Sequence, residues 1–317
     1  MKISLSTNWC NRRIESGEEI AERALELGFD ELELGFHTSI SQVDGFRRML
    51  DRIPVGSIHA FCPVPVSAPQ GYPELYTLAS FDAEARAMAR FQITRNIEFA
   101  SDIGADTVVL HAGRVYFSTF FRRSFTSGTL REILTQAKGN LGDPKYARAL
   151  ARALKVRRTR GAEMLELVKG ELSALMPVLE RHSVTLALEN LPYLEGFPNE
   201  SEMSAIAAEF KGGRVKAWFD TGHHRVREMH GWLPEGFARP PGEAEYPLVG
   251  GMHLNDVVDY NDDHLPPGEG KVDFKGLEPL ARAVRHVVVE PNSGVRGEAL
   301  AKGLAHIRAL WSLPPHG

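Results

Sequence analysis

Cysteine is nearly absent from this chain. The two it has, Cys10 and Cys62, are too few for a disulfide scaffold and fit a reducing cytoplasm. Both follow predicted strands, so two readings stand open: packed, inert thiols, or thiols that line a pocket. Long apolar runs are also missing. No stretch of about 18 apolar residues occurs, so no transmembrane span is expected. The opening Met1-Lys-Ile-Ser-Leu-Ser6 enters a strand directly and lacks the apolar block of a signal peptide. The net charge is only −4, so nothing global points to nucleic acid or a membrane surface. Solenoid repeats and low-complexity tracts are absent as well. What remains is a cytoplasmic globular protein with no protein partner evident, and 43% hydrophobic residues suffice for one large core.

What the chain does have is a series of short apolar segments, each ending in a residue type that binds metals. They are Gly56-Ser-Ile-His59, Thr107-Val-Val-Leu-His111, Thr185-Leu-Ala-Leu-Glu189, Lys216-Ala-Trp-Phe-Asp220 and His286-Val-Val-Val-Glu290. Val249-Gly-Gly-Met-His253 is less apolar but reads the same way. Short apolar runs bounded by turns are buried strands. With 2–6 and 31–34 they make eight. Helical patterns lie between them. Ser16 with Glu19 predicts a capping box, and Gly28 a stop. Helices are expected over 41–52, 82–103 (ending at Gly104), 161–182, 200–210 (ending at Gly212-Gly213) and 295–311, and one after Asp273. Eight rounds of alternation select a single (β/α)8 TIM barrel over 1–317 rather than a doubly wound sheet. Ligand types at strand C-termini place the chemistry at one mouth of that barrel.

One segment breaks the rhythm. About fifty residues separate His111 from the helix expected at 161, and a connection that long is usually functional or structured in its own right. Residues 114–160 hold twelve Lys or Arg against two acids, a net charge of +10. Tyr116, Phe117, Phe120, Phe121 and Phe125 are interleaved with the arginines. The segment reads as a basic insertion on the catalytic face. It is either a helical lid with an apolar underside or an electropositive arm that attracts an anion.

The motifs Leu188-Glu189-Asn190, Asp220-Thr-Gly-His223, His253-Leu-Asn-Asp256, Asp262-Asp-His264-Leu-Pro-Pro-Gly-Glu-Gly270 with Asp273-Phe274 after it, and Glu290 occur in one order at strand ends. In this the chain resembles the xylose isomerase-like TIM barrels, the superfamily that also contains endonuclease IV (AP endonuclease family 2). The resemblance covers everything except 114–160. It implies two chemical styles. The endonuclease style implies up to three Zn2+. The first would sit on His59, His111 and Glu189. The second would take Glu189 as a bridge with Asp220, His253 and Glu290, and the third His223, Asp262 and His264. The isomerase style implies a single Mn2+ or Mg2+ on Glu189, Asp220, His253 and Glu290. Asp262 and His264 also read as part of a motif that orders the Gly268-Glu-Gly270 turn. The other seven histidines, His224 and His230 among them, read as ordinary.

Charge separates the two styles. Three Zn2+ against four carboxylates leave a cationic cluster, which suits a phosphodiester attacked by a metal-activated hydroxide. One divalent ion against three carboxylates leaves an anionic site, which suits a neutral sugar whose proton moves between two glutamates. The basic segment favours an anion, with Arg114, Arg122 and Arg123 as its candidate binding residues. The leading expectation is therefore a metal-dependent hydrolase cleaving the phosphodiester of a nucleic acid or small organic molecule, with Glu189 and Glu290 catalytic. The alternative is a sugar or keto-polyol isomerase or epimerase using Glu189 and Glu290 as its acid–base pair. Asn190 and Asp256 are candidates to orient the ligands. Two departures count against abasic DNA as substrate. His111-Ala-Gly-Arg114 stands where the DNA enzyme usually has His-Pro-Gly, and its DNA-reading loops are not recognisable.

Overall fold

The computed structural model describes residues 1–116, 126–237 and 239–314. Its frame is a closed barrel of parallel strands. They are β1 (Ser4–Ser6), β2 (Glu31–Leu34), β3 (Val55–His59), β4 (Thr107–Leu110), β6 (Thr185–Glu189), β8 (Val215–Asp220), β9 (Val249–Leu254) and β10 (His286–Val289). Two short strands outside it, β5 (Gly113–Arg114) and β7 (Gly196–Phe197), pair antiparallel. The helices are α1 (Gly17–Glu26), α2 (Ile40–Met49), α3 (Ala83–Ile103), α4 (Ser127–Gln136), α5 (Pro144–His182), α6 (Glu200–Glu209), α7 (Thr221–Met229), α8 (Glu278–Ala283) and α9 (Gly297–Leu310). Among the described residues, no helix is long and apolar enough to cross a membrane.

Local signals explain most boundaries. Asp82 caps α3 by accepting from the Glu84 and Ala85 amides, and Gly104 stops it at φ 83°, where only glycine is unstrained. Ser16 accepts from the Glu19 amide, but the Glu19 carboxylate turns to Arg23, so only half of the expected capping box forms. Complete boxes occur instead at Ser39/Gln42 and Asn199/Glu202. Asp273 ends up on a turn, accepting from the Gly276 amide, and α8 begins later and is short. Both cysteines are buried, and burial pushes each thiol up to about 12. The packed, inert reading holds for them.

After β4, the helix expected from 161 begins earlier. α5 runs unbroken from Pro144, capped by the Asp143 carboxylate, so residue 160 lies inside a helix of the barrel layer. With α4 it buries Leu130, Leu134, Tyr146, Ala149 and Ala153 against Leu194 and Trp232, a second core beside the main one. Several cations of the segment are committed internally. Arg157 is 3% exposed and donates to both carboxylate oxygens of Glu202 and to the Leu194 and Gly196 carbonyls. Arg160 pairs with Glu163. Arg131 reaches the Pro192 carbonyl and lies over the Trp232 ring. Arg122, Arg123, Phe117, Phe120, Phe121 and Phe125 lie outside the described residues.

Strand side chains alternate between faces, so each barrel strand sends one set inward. Val109, Ala187, Trp218 and Val288 pack together there. Trp218 is fully buried, and the neighbouring strand makes room for it. A Cβ on Gly251 would lie 2.2 Å from Trp218 Cζ3. Two residues further along β9, the His253 ring meets the indole edge-on at 5.0 Å between centroids. The indole is the floor on which His253 stands. Gly251→Ala is therefore expected to overpack this layer and destabilise the fold by about 1–3 kcal/mol. A shift of the denaturant midpoint checks this, and an unchanged midpoint would refute the packing argument.

Candidate functional site

The strand register brings the ligand types together. Asp220 and Val288 lie opposite His253 on the strands that flank β9. His59, Glu189 and Asp220 are the last residues of β3, β6 and β8, while His111 and Glu290 follow directly on β4 and β10. All face the same mouth. Three groups result: His59, His111 and Glu189; Glu189, Asp220, His253 and Glu290; and His223, Asp262 and His264. Within each group the donor atoms lie within 4.8 Å of one another. Among the described residues, the nine named from the sequence are brought together in these groups.

Glu189 is the hub. It has no exposed surface, and His59 Nε2 and His111 Nε2 approach its Oε2 at 3.2 and 3.1 Å. His253 Nδ1 meets its Oε1 at 3.0 Å. Burial alone would raise this carboxyl, but His253 and His111 hold it well below its usual range. Burial pushes the Asp220 carboxyl up to about 6, against the pull of His223 and with the repulsion of Glu189. Burial opposes charge on His111 and His223 as well. Glu189 nonetheless lifts His111 to about 9, and Asp220 and Asp262 lift His223 to about 10.

The Asp220-Thr-Gly-His223 motif is read out atom by atom. Asp220 caps α7, its Oδ1 accepting from the His223 amide at 2.7 Å. Thr221 Oγ1 donates to the Asn255 carbonyl at 2.9 Å. Gly222 is required because a Cβ there would lie 1.7 Å from Asn255 Oδ1. Asn255 in turn donates to Asp220 Oδ2 at 2.7 Å. Asn190 joins the strand ends, exchanging two hydrogen bonds with the Asp220 backbone at 3.0 and 2.7 Å. Asp256 does not touch a ligand. Its carboxylate accepts from the amides of Val257, Gly268, Gly270 and Val272. It therefore orders the loop that carries Asp262 and His264, including the Gly268-Glu-Gly270 turn.

Three contributors escaped the sequence. Glu33 lies at 3.1 and 3.3 Å from His253 Nε2 and accepts from Ser57 Oγ at 2.8 Å. It fixes the imidazole so that Nδ1 faces Glu189, Asp220 and Glu290. Asn8 donates to Glu290 Oε1 at 3.1 Å, and Asn255 holds Asp220. Glu33 left one signal, its place in the alternating strand Glu31-Leu-Glu-Leu34. Arg114, an expected substrate contact, is paired with Glu74 at 2.7 and 3.1 Å. Above the cluster opens a pocket of about 440 Å3. Asn8, Tyr72, Glu74, Tyr193 and the cluster residues His111 and Glu290 are in its wall. Such volumes suit small-molecule ligands.

A family model described as xylose isomerase-like TIM barrel matches residues 21–310. A comparison with curated proteins found no match. Among solved structures, the E. coli 3-keto-D-glucoside 4-epimerase YcjR is similar at 18% identity and TM-score 0.64, covering 98% of this chain and 99% of its own. A D-tagatose 3-epimerase-like protein gives 20% identity and TM-score 0.64, with 98% of each chain covered. A protein from Thermus thermophilus, TTHB071, soaked with ZnCl2, gives 22% identity and TM-score 0.57, with 98% of each covered. These findings correct the leading functional expectation. The end-to-end structural neighbours include ketose and ketoglucoside epimerases, which favour the isomerase alternative over phosphodiester hydrolysis. The charge argument for hydrolysis also weakens, since Arg114, Arg157 and Arg160 are already paired with Glu74, Glu202 and Glu163.

Two outcomes follow from this geometry. A metal takes up neutral imidazole, so histidines that keep a proton up to about 9 and about 10 compete with it at neutral pH. Apparent metal affinity should rise from pH 6.5 to 9, with net proton release seen by calorimetry in buffers of different ionisation heat. A pH-independent affinity would contradict the clustering. Glu33→Gln should weaken metal binding about 10–100-fold, measured by competition with a chelator, because His253 loses the carboxylate that orients it.

Proposed function

The chain belongs to the xylose isomerase-like TIM barrel family, and within it we propose a divalent-metal-dependent isomerase or epimerase of keto-sugars or keto-polyols. The observation that carries the reading is the convergence of two buried glutamates on one imidazole. Glu189 Oε1 and Glu290 Oε2 lie 3.0 and 3.2 Å from His253 Nδ1 beneath the pocket. The structural neighbours named as epimerases support the same class of reaction.

The residues present fit a metal. Three carboxylates and an imidazole, all buried and converging, make a donor set suited to Mn2+, Mg2+ or Zn2+. Glu189, Asp220, His253 and Glu290 would hold the ion, and His59 with His111 offers Glu189 a second. When bound, the ion supplies Lewis acidity toward adjacent carbonyl and hydroxyl oxygens of the substrate.

The chain's own groups then do the proton work. One of Glu189 and Glu290 removes the proton from the carbon beside the carbonyl, and the other delivers a proton to the opposite face. The reverse reaction exchanges the roles. Asn8 fixes one oxygen of Glu290, and the other faces His253 within the cluster at 3.2 Å. Tyr72 gives the pocket a ring face and hydroxyl for a polyhydroxylated chain, beside Tyr193, whose ring stacks with Arg114 and whose hydroxyl donates to Glu74.

The test is a panel of ketoses and keto-polyols incubated with the protein and Mn2+ in D2O. Solvent deuterium should enter the carbon beside the carbonyl, with the epimer or isomer appearing by chromatography. EDTA should abolish exchange and added metal restore it. Glu290→Gln should slow exchange about 10²–10⁴-fold while circular dichroism stays unchanged. A full panel without exchange at any carbon would overturn the reading.

A further inference from the structure

Each cluster histidine that turns one nitrogen to the centre needs a partner for the other. Four have one. His59 Nδ1 is 2.9 Å from the Ala60 carbonyl, His223 Nδ1 2.7 Å from that of Asn190, and His264 Nδ1 2.9 Å from that of Glu290. His253 Nε2 has Glu33. The fifth does not. His111 Nδ1 is buried without a hydrogen-bond partner, although His111 Nε2 faces Glu189 as His59 Nε2 does. A buried N–H left without an acceptor is costly.

The nearest carboxylate supplies the missing acceptor. Glu74 Oε1 lies 3.9 Å from His111 Nδ1. A carboxylate offers about four acceptor positions, and Glu74 uses three. Its Oε2 accepts from Arg114 Nε, and its Oε1 from Arg114 Nη2 and the Tyr193 hydroxyl. Arg114 also stacks on the Tyr193 ring at 3.8 Å. The open position is on Oε2, while Oε1, the oxygen at 3.9 Å from His111 Nδ1, already accepts twice, so pairing with His111 requires the carboxylate to turn or the Tyr193 hydroxyl to yield its place.

We propose that Glu74 is the positioning residue of His111. It closes the 3.9 Å gap when a metal occupies the His59, His111 and Glu189 group. With a metal on Nε2, the remaining N–H of the ring sits on Nδ1, pointing at Glu74. The same carboxylate ties three segments together: the loop after β3, the ribbon strand β5, and the loop after β6 that carries Tyr193. Metal binding at that group would thereby fix the pocket wall formed by Tyr193 and Glu74. The inference rests on the metal-binding part of the reading above and not on the reaction assigned to it.

The experiment uses the full chain with 15N-labelled histidine and Zn2+ alone as probe. Long-range 1H–15N spectra follow His111, assigned by its loss in His111→Gln. In the wild type, zinc should produce a single Nδ1–H form of His111 with a strongly downfield proton. Glu74→Ala should weaken zinc at this group about 10–100-fold and move that proton upfield, while signals of His253 and Glu33-dependent binding stay within twofold. Glu74→Gln keeps an acceptor oxygen and should give an intermediate loss; it also serves if the alanine variant does not fold. Tyr193→Phe removes another of Glu74's partners and should leave the His111 signal in place. If zinc leaves both His111 nitrogens unmoved, or the Glu74 variants match wild type in affinity and spectrum, the assignment is overturned. Zinc effects as expected in a protein that exchanges no ketose proton would sink the proposed reaction and leave this inference standing.

Discussion

A carboxylate without exposed surface must be met by donors or cations on every side, because an uncompensated buried charge is among the costliest things a fold can contain. Glu189 sets that condition at the centre of this barrel, and the strand ends answer it. Two histidines approach one of its oxygens and a third the other. Those histidines in turn must be held by their far nitrogens, which draws in Glu33 from β2 and the Ala60 carbonyl after β3. The requirement spreads outward shell by shell until it reaches backbone that is already fixed by the barrel's own ladder.

Below the cluster the constraint is steric rather than electrostatic. Trp218 fills the barrel interior where Gly251 leaves space, and His253 rests on its ring. Position and charge are thus set by different residues. The indole fixes the height of His253, and Glu33 fixes its rotation. Functional sites built on strands and supported this way can be held tightly enough for chemistry.

Much of this was legible in the sequence, and for a physical reason. A buried parallel strand is a continuous apolar run, so a His, Asp or Glu that ends one stands out, and His59, His111, Glu189, Asp220 and Glu290 were visible in that way. The partners were not. Glu74 lies in a loop without periodicity, and Asn8 follows β1 in a short helical turn. Helix α7 was missed because Thr221–Met229 is too polar to show an apolar stripe. The function class misled through charge. The basic residues of 114–160 form a block in sequence, but the partners that neutralise several of them, Glu74 and Glu202, lie outside that block. Linear charge counts cannot see such pairs. The donor types also serve both chemistries equally, so the residues alone could not choose between hydrolysis and isomerisation.

The loop that bears Asp262 and His264 is gathered by Asp256, whose carboxylate accepts from four backbone amides between Val257 and Val272, and is tied further by backbone bonds of Asp256 with Leu265 and of Asn292 with His264. The Glu189, Asp220, His253 and Glu290 group is owned by the barrel strands and their ends; the His223, Asp262 and His264 group is owned by one helix start and that loop. The two differ in how they can be inherited. A lineage can lengthen, shorten or rewrite one loop while its strands stay under the full discipline of the core. The loop-borne group can therefore be altered by rewriting one loop, whereas the strand-borne group cannot change without disturbing the core beneath it.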